Sequence, residues 1–148
     1  MPLKTKENIS LIGAGLSGPV MATYLSSLGF STDIYESRSD MRTNSTSAGR
    51  SINLALSARG IKALKDIGVY EKIKPTLIPM SGRMIHDGNG DVHLQPYGQK
   101  KNEVIYSVPR SNLNKTLMDY AESTNSVNFN FDHELQDIDL KRLKLRFQ

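Results

Sequence analysis

The sequence predicts an α/β fold whose opening unit is a right-handed βαβ crossover on a parallel sheet, and three observations predict it. The apolar run Asn8–Ile12 ends at glycine and has the length of a buried strand. From Leu16 the apolar residues change to helical spacing, with Leu16, Val20 and Tyr24 in one row and Met21, Leu25 and Leu28 in the next, until Gly29 ends the run. Thr32–Glu36 then reads as a second strand. A strand, a tight turn, a helix and a parallel strand close with one hand, the right, in nearly every case.

The turn between strand and helix carries the chemistry. Gly13-Ala14-Gly15-Leu16-Ser17-Gly18 has the spacing G-x-G-x-x-G. Gly13 makes the tight turn, Gly15 lets backbone approach a diphosphate, and Gly18 lets the helix pack closely on the strand. Free backbone N–H groups at the positive end of the helix dipole then face the anion. Pro19 falls in the first turn, where its missing N–H costs little. Glu36, 18 residues after Gly18, stands where an acid accepts hydrogen bonds from an adenosine ribose. A carboxylate there repels a 2′-phosphate, which argues against NADP at this position. The bland alternative is a glycine-rich turn with no ligand, and the context of strand, turn, helix and acid disfavours it. The fingerprint alone leaves FAD and NAD open.

The rest of the chain continues the α/β pattern. Asp40–Gly49 is polar and reads as a loop. Leu54–Gly68, with Leu56, Ile61, Leu64 and Ile67, reads as a helix despite Gly60, followed by a short turn over Tyr70–Lys74 that Pro75 stops. Gly82–Asp87 and Asp91–Gln95 flank Asp87-Gly88-Asn89-Gly90, a hairpin signal because Asp-Gly and Asn-Gly tolerate positive φ. Val104–Val108 reads as a strand, and Leu113, Leu117, Tyr120 and Ala121 mark an amphipathic helix. Val127–Phe131, Glu134–Leu140 and Arg142–Phe147 alternate as strands.

Composition excludes several classes. With 148 residues, 38% hydrophobic and 23% charged, the chain is ordinary for a globular domain. It has no cysteine, so disulfides, thiolate metal sites and cysteine nucleophiles are out. The net charge is +4, but the basic residues are scattered. The densest group, Lys141, Arg142, Lys144 and Arg146, alternates with Leu143, Leu145 and Phe147 like a strand with one solvated face, so no nucleic-acid partner is expected. No signal core and no membrane-length apolar run occurs, which points to a cytoplasmic chain. A nucleophile elbow would need glycine where Pro19 stands. His86, His93 and His133 lack metal-ligand spacing, and no metal site is expected.

Several separated stretches carry a resemblance. Gly13–Gly18 with Ile34-Tyr35-Glu36-Ser37-Arg38 is similar to the opening of the flavoprotein aromatic hydroxylases. Gly49-Arg50-Ser51-Ile52-Asn53-Leu54-Ala55-Leu56-Ser57-Ala58-Arg59-Gly60 resembles, more specifically, the kynurenine 3-monooxygenase family. Ile78–His86, Pro96-Tyr97-Gly98 and Ser107–Asn114 continue the likeness in the same order. The resemblance implies a Rossmann-like FAD-binding unit, with a β-hairpin belonging to the substrate-binding sheet. It implies an enzyme that uses FAD, with NADPH as co-substrate, to hydroxylate L-kynurenine to 3-hydroxykynurenine on the way to quinolinate and NAD. The flavin carries the oxidising chemistry, so no side chain is expected to act as a catalytic group. A hydroxylase of another aromatic substrate, an NAD-dependent dehydrogenase and a non-catalytic nucleotide-binding module are the competing readings.

The resemblance also implies site residues. FAD contacts fall at Gly13, Gly15, Ser17 and Gly18 in the turn, at Tyr35, Glu36, Ser37 and Arg38 around the adenosine, and at Ala55, Arg110 and Leu135 nearer the flavin. Judged alone, Ala55 and Leu135 read as packing, and Arg38, Arg50 and Arg110 as surface charges. Arg83 and Tyr97 match the pair that holds the substrate carboxylate, a sensible use of a guanidinium and a phenol. The hairpin supplies a geometric condition. A loop with an odd number of residues, Gly88–Gly90, sets residues 83 and 97 on one face, whereas a two-residue Asn89-Gly90 turn sets them on opposite faces. Family members are much longer, and the strand pattern runs to Gln148. Residues 1–148 are therefore expected to be the N-terminal part of an FAD-binding domain, with 82–97 contributing to the substrate side. The isolated piece is expected to be inactive, to hold FAD weakly, and to self-associate through an exposed sheet edge.

Overall fold

A computed structural model describes residues 8–43, 52–100 and 103–148. The expected polar loop lies largely outside them, as does Arg50. The chain divides into two compact units, Met1–Arg50 with Leu113–Gln148, and Ser51–Asn112.

The first unit is the expected crossover. Strand β1 (Asn8–Ile12) runs into helix α1 (Ser17–Ser27), which returns to β2 (Ser31–Tyr35). β1 and β2 are parallel, with Asn8 opposite Ser31 and Ile12 opposite Tyr35. Later in the chain, helix α4 (Arg110–Glu122) leads to β8 (Val127–Asn130), which pairs parallel with the other side of β2. The sheet order is β1-β2-β8, so β2 is central and β1 has one neighbour among the described strands. β9 (Leu135–Asp139) and β10 (Lys144–Phe147) form an antiparallel hairpin.

Burial follows that order. The central strand turns Thr32 and Ile34 fully inward, and Glu36 continues the same alternation just past its end. Ile34 packs with Ala14, with Ala22 of α1, with Met118 and Ala121 of α4, and with Val127 of β8. Ala22 has no bulk beyond Cβ, which lets α1 sit close to the sheet. Arg42, just after β2, ties this layer together. Its guanidinium takes Asp40 at 2.8–3.0 Å, Asp119 at 3.0 Å and Glu122 at 2.8 Å, and it lies 5.5 Å from the Phe129 ring centroid. Asp40 above all, with Glu122 and Asp119, strengthens its hold on the proton.

The second unit begins with a departure from expectation. Leu54–Leu56 is not the start of a helix. Asn53–Leu56 is strand β3, Ser57 is extended at φ −88° and ψ 173°, and helix α2 starts only at Ala58, ending at Asp66. Leu56 falls on the helical row of Leu64 and Ile67, yet it shares a strand face with Leu54, and pairing with β7 (Ile105–Pro109) settles the choice. Helix α3 (Tyr70–Ile73) and a short 3-10 turn follow. Sequence spacing also misses β4 (Ile78–Met80), whose Pro79 lacks a ladder donor and is tolerated because β4 is an edge in the order β3-β7-β4. Leu64, Val69, Ile73 and Val108 are the buried residues of this unit.

β5 (Gly82–His86) and β6 (Val92–Pro96) form the hairpin. Asp87 N–H donates to the Asp91 carbonyl at 3.0 Å, so the loop is Gly88–Gly90, with Gly90 at φ +89°. Arg83 stands opposite Gln95, and Tyr97 N–H continues the ladder to the Ser81 carbonyl. The longer loop is the observed one, and by the pleat Arg83, Gln95 and Tyr97 share a face. Among the described residues, no helix is long and apolar enough to cross a membrane.

Candidate functional site

The site is the bend that joins β1 to α1. Gly13 continues the β ladder by donating to the Tyr35 carbonyl at 2.7 Å, then turns at φ +99°, a conformation that side chains resist. Its carbonyl oxygen points at Gly18, where an added Cβ would overlap it. Helix and strand therefore touch backbone to backbone at this point. α1 has no side-chain cap and no acid in its first turn. Among the described residues nothing accepts from the N–H groups of Gly15 and Leu16. Unpaired donors at a helix N-terminus are the requirement for holding an anion.

Glu36 locks the bend from the β2 side. It is 6% exposed, and its Oε2 accepts the Ala14 N–H at 2.9 Å. Oε1 accepts the Arg38 N–H at 2.9 Å and Arg38 Nε at 2.8 Å, and Arg38 Nη2 reaches Oε2 at 3.2 Å. Ser37 Oγ lies 3.3 Å from Oε1. The Arg38 side chain, ahead of the two backbone N–H groups, pulls the Glu36 carboxyl from 4.5 to about 2, although burial opposes this. The acid is thus ionised at any physiological pH and aims at the bend. Both of its oxygens are engaged within the chain, and the exposed arm of Arg38 is the partner that a sugar hydroxyl can replace.

A pocket of about 80 Å³ opens beside this acid, lined by Ala14, Glu36, Arg38, Met41, Asn114 and Phe131 among others. Asn114 comes from α4 and donates through Nδ2 to the Ala14 carbonyl at 3.1 Å. Sequence reading missed it. The signal that could have found it is an amide at the core-facing positions 114, 118 and 121, where its neighbours are Met118 and Ala121.

The remaining expected residues fall as follows. Ser17 opens α1 and is exposed. The Tyr35 ring stacks on Phe147 at 4.4 Å and lies 5.9 Å from His133. Leu135 begins β9, half-buried opposite Phe147. Ala55, Arg110, Arg83 and Tyr97 belong to the second unit or its border. Ala55 is exposed on β3, and Arg110 opens α4 with its N–H on the Ile52 carbonyl. Arg83 Nε donates to Gln95 Oε1 at 2.8 Å, and among the described residues its two terminal nitrogens have no partner. No group of three or more acids and histidines is placed to hold a metal among the described residues.

The residues present fit FAD. A glycine-rich bend, unpaired N–H groups at a helix start and a buried carboxylate bonded to that bend suit a diphosphate and the adjoining ribose. Comparisons with known proteins agree. The chain is 40% identical over 142 residues to a kynurenine 3-monooxygenase of Legionella pneumophila, covering 96% of this chain and 32% of that protein. It is 42% identical over 133 residues to the kynurenine 3-monooxygenase of Anopheles gambiae, covering 90% and 27%. The chain thus spans about a third of the length of the curated relatives it matches. Among solved structures, a tetrameric 2-methyl-3-hydroxypyridine-5-carboxylic acid oxygenase superposes with a TM-score of 0.76 at 17% identity, over 97% of this chain and 38% of that one. The p-nitrophenol 4-monooxygenase of Pseudomonas putida DLL-E4 gives 0.71 at 17% identity, over 93% and 34%. These two likenesses show the fold. The FAD binding domain family matches residues 6–143, and with the bend, the acid and the fold in agreement, the chain belongs to that family.

Proposed function

We propose that this chain is the cofactor-holding part of a monooxygenase that uses FAD and NADPH to hydroxylate L-kynurenine at its 3-position. The observation that carries the cofactor is the Glu36 carboxylate bonded to Ala14 inside the glycine bend. The substrate comes from the relatives, which bear the name kynurenine 3-monooxygenase. When bound, FAD supplies the oxidising chemistry. The chain's own residues orient it. The N–H groups of Gly15 and Leu16 take the diphosphate, Glu36 takes the ribose, and the shared face of the 82–97 hairpin presents Arg83 and Tyr97 to the substrate carboxylate. The edge of β1 that has no neighbour among the described strands is where we place self-association.

The test is kynurenine-stimulated oxidation of NADPH by the protein that carries this chain, with flavin released on denaturation and 3-hydroxykynurenine identified as product. Another aromatic compound stimulating oxidation in place of kynurenine overturns the substrate. A preparation that binds nicotinamide nucleotide and no flavin overturns the cofactor. Arg83→Ala is expected to raise KM for kynurenine by about tenfold to a hundredfold, the worth of a charge-assisted pair, with kcat changed far less. An unchanged KM removes Arg83 from the substrate site.

A further inference from the structure

Resting on the nucleotide-site reading above, we infer that Asn114 is a positioning residue for the diphosphate, acting through the peptide between Ala14 and Gly15. Asn114 is 7% exposed, and its Oδ1 is buried without a hydrogen-bond partner among the described residues. An apolar residue at that place on α4 would fill the core and leave no orphan acceptor. What the amide does is therefore done by its nitrogen. Nδ2 donates to the Ala14 carbonyl at 3.1 Å and lies 3.1 Å from Met41 Sδ. A trans peptide is planar, and its C=O and N–H point in opposite directions. A carbonyl of Ala14 held toward the interior by Asn114 sets the Gly15 N–H outward, away from α4.

The preceding peptide obeys the same rule. Ala14 N–H is held by Glu36 Oε2 at 2.9 Å, and the Gly13 carbonyl on the other side of that peptide faces Gly18. Two side chains from distant parts of the sequence thus fix two successive peptides of the bend, one by its N–H and one by its C=O. Glu36 is the acid that the fingerprint announces. Asn114 has no place in the fingerprint, and it governs the peptide whose N–H is left for the ligand. Its removal loosens that donor while leaving the nucleoside end of the site in place.

Calorimetric titrations with ADP and with adenosine separate these effects, because only ADP carries a diphosphate. In Asn114→Leu the ADP affinity is expected to fall about tenfold, the worth of one charge-assisted hydrogen bond, and adenosine affinity to stay within about twofold. Asn114→Gln keeps the donor on a longer stem and shifts its reach. Its ratio of ADP to adenosine affinity is also expected to drop below the wild-type ratio. A ratio unmoved in these variants, or in Asn114→Gln alone should Asn114→Leu fail to fold, overturns the inference. So does an equal loss of both ligands, which marks a purely structural role. A wild-type protein that binds neither ADP nor FAD overturns the nucleotide reading itself. A wild type that binds ADP, with the ratio unmoved by substitution, overturns only the role of Asn114.

Discussion

Gly18→Ala is expected to weaken FAD binding by about a hundredfold, with a loss of stability in the overpacking range of about 1–3 kcal/mol. The cause is steric and local. An added Cβ would overlap the Gly13 carbonyl oxygen and sit 3.3 Å from the Gly13 carbonyl carbon. Both are backbone atoms, so no flexible side chain can move aside. α1 must shift away from β1, and the shift displaces the N–H groups proposed to take the diphosphate. Gly15→Ala is the informative contrast. A Cβ there meets nothing within 4 Å, and Gly15 is not among the residues at positive φ. Gly15→Ala should therefore leave the thermal midpoint unchanged and weaken only ligands that carry a diphosphate. Flavin fluorescence titration with a thermal melt for each variant separates the two. Gly18→Ala binding FAD like the wild type, with its stability intact, would falsify the close packing of helix on strand as the basis of the site.

Glu36→Gln is expected to cost about 2–3 kcal/mol of stability at neutral pH, and to remove part of the protein's acid sensitivity. The Glu36 carboxyl is held at about 2 in the fold against an ordinary 4.5. A lowered folded-state value means that the ionised form stabilises the fold. That contribution is complete above about 4.5 and is lost as the pH falls toward 2. At about 1.4 kcal/mol for each unit of difference, its ceiling is about 3.5 kcal/mol. Glutamine matches the shape but turns an NH2 donor toward either the Ala14 N–H or the Arg38 guanidinium, and donor then faces donor. Urea unfolding of both proteins at pH 7 and pH 3 reads the effect. The stability gap should be wide at pH 7 and narrow at pH 3. A gap of the same size at both values would show that the charge of Glu36 does not hold the bend.

Much of the first unit was legible in the residues because its determinants are local. Gly13 and Gly18 announce the bend, one by its positive φ and the other by its contact with backbone, the row Leu16, Val20 and Tyr24 announces α1, and Glu36 lies at a distance that one helix and one strand dictate. The hairpin was legible for the same reason, since Gly88–Gly90 sets its register within a few residues. Leu56 fits a helix through its spacing to Leu64 and Ile67, and a strand through its spacing to Leu54, so local pattern leaves the segment open. Only the ladder to β7, some fifty residues away in the chain, made it a strand. β4 went unread because a three-residue edge strand with a proline leaves no periodicity to see.

By itself, then, the sequence determined the βαβ unit, the glycine bend and the acid that follows it, since each depends on chain geometry over a few residues or one crossover. The tertiary structure alone decided which groups hold that bend still. Asn114 is one hundred residues from Ala14 along the chain, and no spacing rule links them. Their hydrogen bond exists because Met118 and Ala121 of α4 share one core with Ala14, Ala22 and Ile34, which brings a buried amide within reach of a backbone carbonyl.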